Sequence, residues 1–173
     1  SGGKTSELFI YPAEANFKQG DYSLRISIAT VEVESSDFTS LPDVQRTLMV
    51  LDRTLKLEHK GQHSCKIQPF EQDQFSGDWS TKSWGKVTDF NVMTKNNAKA
   101  VVQKIDLIAN EVLALTSAYD VQFIYVQSGN ITVENTLVTK GNSIVINNLS
   151  YLKVIAGNEI EKTELILVST DIN

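Results

Sequence analysis

Cysteine, long apolar runs and clustered positive charge are all scarce in this 173-residue sequence, and each scarcity excludes a class of protein. The single cysteine, Cys65, cannot form an internal disulfide, and no signal-peptide pattern is present, so the reducing cytoplasm is the expected location. No apolar run approaches the roughly 18 residues of a membrane helix, so no membrane partner is expected. The net charge of -5 comes without any cluster of lysine and arginine, which disfavours nucleic acid because phosphate contacts dominate such binding.

The signatures of common enzyme classes are also missing. The chain has no Ser-His-Asp grouping, phosphate-binding loop or dinucleotide fingerprint, so no cofactor is predicted. Cys65 lies beside a polar turn whose only evident charge partners are histidines, which argues against a cysteine nucleophile. Whether the protein is an enzyme stays open, but the absence of these signatures favours a function without catalysis.

Short strand-like segments separated by turn residues make up most of the chain. Turns such as Lys60-Gly61 and Gly141-Asn142 recur about every 8 to 12 residues, which predicts an all-β sandwich or barrel. The predicted strands include YSLRISIATVEV, RTLMVLD, TLKLEH, KVTDFNVMT, VQFIYVQ, NITVENTLV, NSIVIN, YLKVIAG and TELILVST. We predict a single unit over residues 1–173, with possible lobes at residues 1–95, which hold the unusual polar residues, and 96–173.

Residues 96–115 allow two interpretations. Apolar residues such as Val101, Ile105, Ile108 and Val112 fit the buried stripe of a helix. The alternative is two strands, KAVVQKIDL and EVLALTS, joined at Ala109-Asn110. Two strands are favoured, because every neighbouring segment is β.

Five motifs, in order, resemble the HutD/Ves family of small cupins. They are SGGKTSELFIYP, LRISIATV, DFTSLPDVQRTLMVL, FSGDW and DFNVMT, and they extend from Ser1 to Thr94. The second half resembles only the last strands of cupins in general. The resemblance implies a cupin-type β-barrel or jelly roll built as two fused half-barrels (a bicupin), from a bacterial family linked to histidine utilisation and thought to act in regulation through a small pathway ligand. One segment departs from the family pattern: LDRTLKL stands where the family commonly has a glycine turn, so the shape of this hairpin is left open.

Two of the motifs carry a polar face opposite an apolar one. Arg25 and Ser27 alternate with apolar residues in LRISIATV, as Asp89 and Asn91 do in DFNVMT. Alternate side chains of each strand point into a barrel, so a polar lumen is expected to place a polar residue at every second position. We therefore predict an internal pocket at positions that also match the family motifs. The predicted ligand-binding residues are Glu7, Arg25, Ser27, Arg46, Asp89 and Asn91.

The predicted partner is a small anionic metabolite. Two arginines favour a carboxylate, because the guanidinium presents a planar fork of donors and stays charged when buried. Asp89 and Glu7 can accept from an amine, amidine or imidazole, and Asn91 and Ser27 can pair with neutral groups. The family resemblance suggests urocanate or a formyl- or formimino-glutamate. A homodimer is considered only by analogy with other cupin-like sheets.

Three alternatives stay open at this point. The arginines could instead pair with Asp89 and Glu7 in closed internal salt bridges that hold the fold without a ligand. The protein could be an enzyme that uses Asp89 or Glu7 as a general base. It could also be a structural or interaction barrel.

Two histidines, His59 and His63, lie in LEHKGQHSC together with Cys65. Their spacing would align two metal ligands on a helix, but Gly61 and the preceding strand pattern predict the end of a hairpin. A metal-binding cupin needs several histidines and a carboxylate in its lumen, and the chain has two histidines in all. We therefore expect solvated turn histidines and no metal site.

Overall fold

A computed structural model describes residues 3–116, 118–147, 151–158 and 162–172, and every helix or strand within these ranges is a β-strand. The predicted all-β class is therefore confirmed. Ser1 and Gly2 of the first motif and Ser117 of the predicted EVLALTS strand lie outside the described residues. The described residues contain no helix with the length and apolar character needed to span a membrane.

The chain divides into two compact units, of which the first is Ser1–Ala98. It holds a five-stranded sheet in the order β1-β2-β9-β4-β7 and a four-stranded sheet in the order β3-β8-β5-β6. Its strands are β1 Gly3–Tyr11, β2 Leu24–Val31, β3 Ser35–Asp37, β4 Gln45–Val50, β5 Leu55–His59, β6 Ser64–Ile67, β7 Gln72–Ser76, β8 Thr81–Trp84 and β9 Thr88–Thr94.

The core of this unit lies between its two sheets. Along β5, buried and exposed residues alternate strictly, so Leu55 and Leu57 point inward while Lys56 points to solvent. The inward residues pack against apolar side chains of the larger sheet, such as Leu48 on β4. The central strand β9 differs, because six of its seven residues are buried. Polar side chains on β9 are therefore enclosed.

The second unit, Lys99–Asn173, is built from two four-stranded sheets in the orders β10-β17-β12-β15 and β11-β16-β13-β14. One apolar cluster joins residues of both sheets, including Ile124, Leu165, Ile131 and Val154. The strands are β10 Lys99–Leu107, β11 Val112–Thr116, β12 Val121–Ser128, β13 Asn130–Val133, β14 Thr136–Thr139, β15 Ser143–Asn147, β16 Tyr151–Ala156 and β17 Thr163–Asp171.

Residues 96–115 form two strands, as favoured from the sequence. β10 pairs with β17 along its whole length, from Lys99 opposite Asp171 to Leu107 opposite Thr163. The turn before β11 contains Asn110 with a φ of 61°. Asparagine tolerates this left-handed conformation better than most residues, which explains why the chain ends one strand and starts another here.

The segment NITVENTLV was predicted as one strand, and this prediction is wrong. It forms the hairpin β13–β14, in which Val133 lies opposite Thr136. Glu134 occupies the turn with a φ of 53°. Asn135 is the only typical turn residue in this two-residue turn, and without a neighbouring glycine it gives a weak signal for the reversal.

The first four residues of LDRTLKL, residues 51–54, form the turn that connects β4 to β5, which belong to different sheets. Within this turn Arg53 has a φ of 59°. The left-handed conformation costs a residue with a Cβ roughly 1 to 2 kcal/mol, while glycine adopts it freely but loses more chain entropy on folding. We therefore expect Arg53→Gly to raise the free energy of unfolding by about 0.5 to 1 kcal/mol in urea denaturation. Arg53→Ala keeps the Cβ, so a similar gain in that control would contradict the explanation.

Candidate ligand site

Strand register brings the predicted polar residues together on one face of the five-stranded sheet. Met93 on β9 lies opposite Arg25 on β2 and opposite Arg46 on β4, so the two arginines flank a single position. Two residues earlier on β9, Asn91 lies opposite Ser27. Residues that are two apart share a face of a strand, and therefore these side chains point to the same side.

A cavity of about 410 Å³ lies on this face, within the typical range of roughly 300 to 1,000 Å³ for small-molecule sites. Five of the six predicted residues line the cavity: Arg25, Ser27, Arg46, Asp89 and Asn91. The sixth, Glu7, does not line it. Its side chain is 40% exposed and reaches the cavity wall only through its contact with Arg25.

Arg25 is buried and fully engaged with neighbouring side chains. Its Nε donates to Oε2 of Glu7 at 2.7 Å, and its Nη1 donates to Oγ of Ser27 at 3.3 Å. The guanidinium carbon lies 4.0 Å from the ring centroid of Phe17, a cation–π contact. These contacts fix Arg25 and neutralise its charge within the protein.

Arg46 is buried to a similar degree, with 9% of its surface exposed, but it has no such partner. Among the described residues, no carboxylate lies within ion-pair distance of its guanidinium, and its buried Nε has no hydrogen-bond acceptor. The guanidinium carbon lies 4.7 Å from the ring of Phe38 and 5.2 Å from that of Phe75. Burial lowers the pKa of Arg46 to about 10, and the nearby Asp89 acts in the opposite direction, so the group stays charged at neutral pH.

Asp89 and Asn91 form a second buried pair beside Arg46. Nδ2 of Asn91 donates a short hydrogen bond to Oδ1 of Asp89, whereas Oδ1 of Asn91 is buried without any donor. Burial raises the pKa of Asp89 to about 7, a nearby Asp52 raises it too, and Asn91 and Arg46 lower it. The site therefore contains a carboxyl group that titrates near neutrality and an amide oxygen ready to accept a hydrogen bond.

The alternative of two closed salt bridges is only half realised. Arg25 and Glu7 make one of the two pairs. Arg46 and Asp89 do not make the other within the described part of the chain, although each influences the pKa of its neighbour. One cation without a described counter-ion, Arg46, is thus left on the wall of the cavity. Nε of Arg46 and Oδ1 of Asn91 are buried without hydrogen-bond partners among the described residues, and both of these residues line the cavity.

The sequence analysis did not identify the aromatic residues that hold the two arginines. Phe38 and Phe75 both lie inside motifs that were quoted for the family resemblance, DFTSLP and FSGDW. The FSGDW pattern is compatible with a cover over the pocket mouth or with a loop packed on the barrel end, and neither interpretation places Phe75 against an arginine. Phe17 stands in a turn region without any signal. Thr5, Ser36 and Asp37 also line the cavity and were missed.

Gly77, in the FSGDW motif, positions the loop that precedes Arg46. Its N–H donates to the carbonyl oxygen of Val44 at 2.7 Å, and its own carbonyl accepts from the N–H of Leu41 at 2.8 Å. A Cβ at this position would lie only 2.4 Å from the carbonyl oxygen of Leu41. Glycine is required here because the two backbones approach so closely.

A comparison with known families matches residues 1–163 to the HutD family. The chain belongs to the HutD family. No curated protein sequence matches this HutD chain.

Solved structures with low sequence identity share the fold of this HutD protein. A conserved protein of unknown function, PA5104, from Pseudomonas aeruginosa PAO1 superposes with a TM-score of 0.80 at 20% identity, covering 99% of this chain and 90% of that one. HutD from Pseudomonas fluorescens SBW25 gives a TM-score of 0.75 at 18% identity, with 98% and 89% covered. A cupin 2 conserved barrel domain protein from Leptotrichia buccalis gives 0.60 at 12%, with 96% and 88% covered. The predicted cupin-type fold is therefore confirmed.

The cavity of this HutD protein does not fit the metal ion that many cupins hold in their lumen. The described lining contains no histidine and no cysteine, and two guanidinium groups face the space. A cation there would be repelled by Arg46, which has no counter-ion within 4 Å.

The prediction that both histidines are solvated is wrong for His59. It is the last residue of β5 and only 2% exposed, because the alternation that buries Leu55 and Leu57 buries the next inward position as well. His63, across the hairpin, is 41% exposed at its side chain. Neither histidine lines the cavity.

Proposed function

We propose that this HutD protein binds a small carboxylate metabolite in its cavity, without a metal in that cavity, and regulates catabolism through the bound state. The observation that carries the proposal is the buried guanidinium of Arg46, which lines the cavity and has no carboxylate within ion-pair distance among the described residues. A buried charge without a partner is costly in a ligand-free fold. A carboxylate in the cavity would supply the counter-charge.

The remaining wall groups favour an anion that also carries nitrogen. The Oδ1 atom of Asn91 can accept from an N–H group, and Asp89 can accept from one when it is ionised. Arg25 is already paired with Glu7, so one carboxylate of the ligand would meet Arg46 first. Membership of the HutD family, with its link to histidine utilisation, supports urocanate, formimino-glutamate and formyl-glutamate as the first candidates.

We expect one of these candidates to raise the melting temperature of the protein. At a ligand concentration one hundred times Kd, mass action stabilises the folded state by about 2.7 kcal/mol, which corresponds to a rise of roughly 5 to 10 °C for a chain of this size. Differential scanning fluorimetry with each compound, and with histidine itself, measures the rise.

The variant Asn91→Ala tests where the ligand binds. It removes the buried acceptor and is expected to lose most of the rise, while Asn142→Ala, at an exposed position of the second unit, keeps it. An equal rise in both variants would place the ligand outside the cavity. No rise with any candidate would favour the structural or interaction barrel instead.

A catalytic function is the second candidate, and the pKa of Asp89 favours it. A carboxyl group with a pKa of about 7 is well matched to general-base work at neutral pH. Incubating protein with each compound that binds, and following it by NMR, distinguishes binding from turnover. Turnover that disappears in Asp89→Asn would replace the regulatory proposal by an enzymatic one.

A further inference from the structure

A second cluster of reactive side chains lies at the β5–β6 hairpin, away from the cavity. It consists of His59, His63, Cys65 and Asp73, and the ligand atoms that these residues offer all lie within 4.8 Å of one another. None of the four lines the cavity. The ring of Phe75 lies between the two places, 4.5 Å from the ring of His59 and 5.2 Å from the guanidinium carbon of Arg46.

The strand pairing explains why these four residues meet. The hairpin places Cys65 opposite Leu57, so the thiol and His59 are on the inward face of neighbouring strands. The tight turn, in which the N–H of His59 donates to the carbonyl of His63 at 2.8 Å, sets the two imidazoles side by side with ring centroids 4.6 Å apart. Asp73 comes from β7 of the other sheet.

The polar atoms of the cluster converge on the carboxylate of Asp73. Its Oδ2 lies 2.8 Å from Nε2 of His59, and both of its oxygens lie 3.1 Å from Nε2 of His63. The sulfur of Cys65 lies within 4.8 Å of the ligand atoms of the other three residues. A carboxylate, two imidazoles and a sulfur therefore surround one small volume.

The other ring nitrogen of His59 has the partner that a metal ligand needs. Nδ1 lies 2.7 Å from Oγ1 of Thr81, and this hydroxyl donates in turn to the carbonyl of Trp79 at 3.3 Å. When the hydroxyl proton is used in this way, Nδ1–H of His59 donates to Thr81. An ionised carboxylate only accepts, so without a metal a proton lies between Nε2 of His59 and Oδ2 of Asp73, and a bound ion would take the place of that proton. Histidines that bind metals characteristically donate their second ring N–H to such a partner, which fixes the tautomer and the ring orientation.

We propose that His59, His63, Cys65 and Asp73 bind one zinc ion with all four protein ligands. Zinc accepts nitrogen, sulfur and carboxylate ligands in tetrahedral geometry, and its bond lengths of about 2.0 to 2.3 Å correspond to ligand atoms roughly 3.3 to 3.8 Å apart. The ligand atoms of the cluster are separated by distances from 2.8 Å, between His59 and Asp73, to at most 4.8 Å, so the side chains would shift by up to about 1 Å to reach this spacing. Binding displaces the thiol proton of Cys65 and the proton shared by His59 Nε2 and Asp73, both of which pass to solvent, and the thiolate and carboxylate then balance the two charges of the ion.

The site would act as a clamp between the two sheets of the first unit. Three of its ligands belong to the β5–β6 hairpin at the edge of the smaller sheet, and the fourth belongs to β7 at the edge of the larger one. The partly exposed His63 gives the ion a route from solvent. This proposal departs from the prediction, made from the sequence, that the protein has no metal site.

The test uses the tag-free full chain, stripped of metal with a chelator and titrated with Co²⁺ and then Zn²⁺. We expect one equivalent of Co²⁺ to give the visible bands of a tetrahedral site together with a near-ultraviolet thiolate-to-cobalt band, both abolished when Zn²⁺ displaces the cobalt. Zinc is also expected to raise the melting temperature. The exposed neighbour Glu58, on the opposite face of β5, supplies the control Glu58→Gln, which keeps all of these signals.

Two variants make the outcome decisive. Cys65→Ser is expected to lose the thiolate band, and His63→Ala to weaken zinc binding at least tenfold while folding normally, as circular dichroism checks, because His63 is partly exposed. Failure of the metal-free wild type to bind stoichiometric zinc at micromolar concentration would overturn the proposal. A thiolate band that persists in Cys65→Ser, or unchanged affinity in His63→Ala, would overturn it as well.

Discussion

Replacing Arg46 with methionine is expected to abolish binding of a carboxylate ligand and, at the same time, to stabilise the ligand-free protein. The guanidinium is buried beside Phe38 and Phe75 without a carboxylate partner among the described residues, so its desolvation is not repaid inside the protein. Methionine has a similar length and suits the aromatic surroundings. We expect a gain of about 1 to 3 kcal/mol in the free energy of unfolding.

The loss of ligand affinity should be large. Truncating one partner of a buried charge pair costs about 2 to 5 kcal/mol, so we expect Kd to rise at least about 30-fold. Isothermal titration calorimetry measures the affinity, and urea denaturation without ligand measures the stability. Opposite changes in the two quantities are typical of a residue that is kept for function at the expense of stability.

Arg25→Met is the matched control for this experiment. Arg25 is equally buried but paired with Glu7, so its loss removes an ion pair and a hydrogen bond to Ser27, and we expect destabilisation. Arg46→Met should therefore be more stable than Arg25→Met. If Arg46→Met proves less stable than the wild type by more than about 1 kcal/mol, Arg46 has a structural role and the unpaired charge does not explain the site.

Asp89→Asn is expected to change how stability depends on pH. Burial raises the folded-state pKa of Asp89 from 3.8 to about 7, so the folded protein holds this proton more tightly than the unfolded chain does. The contribution of Asp89 to the free energy of unfolding is therefore most favourable at low pH. It falls as the pH rises from about 4 to about 7 and stays low above that.

Asparagine can keep the hydrogen bond from Asn91 but never ionises, so the variant should escape this loss. We expect Asp89→Asn to match the wild type near pH 4 and to exceed it above pH 7 by on the order of 2 to 4 kcal/mol. Chemical denaturation across this pH range measures the difference. Asp43→Asn, at an exposed position, should follow the wild type throughout. A constant offset between Asp89→Asn and the wild type at every pH would show that Asp89 is not the group that titrates.

Period-two alternation accounts for most of what the sequence predicted correctly. It marked Arg25 with Ser27 and Asp89 with Asn91 as members of one face, and the register of β2 and β9 places them on the cavity wall. Two strands at residues 96–115 were favoured on a different ground, the β character of every neighbouring segment. Alternation depends only on neighbouring residues, so a single sequence is enough to reveal it.

The same rule, extended by one step along β5, would have placed His59 inward after Leu55 and Leu57. The interpretation as a solvated turn is wrong because Gly61 marks only the turn, whereas the alternation along β5 decides where His59 points. The carboxylate partner could not be found in this way. Asp73 reaches the histidines through the pairing of β7 with β4, a long-range contact that the local pattern does not encode.

The sequence also could not predict which carboxylate each arginine pairs with. Two arginines and two carboxylates balance in number, yet only Arg25 and Glu7 meet. The strand β1 has an irregularity between Glu7 and Phe9, and such local shifts change where a side chain points. The local geometry of the strands therefore decides which charged side chains are left without an ion-pair partner.

The aromatic rings under Arg46 have a consequence for selectivity. They restrict the rotation of the side chain, so the direction of the guanidinium is set during folding. An anion bound as proposed would therefore meet a group that is already ordered and dehydrated. We therefore expect the affinity for small acids to depend on the direction in which their carboxylate approaches Arg46 as much as on their charge.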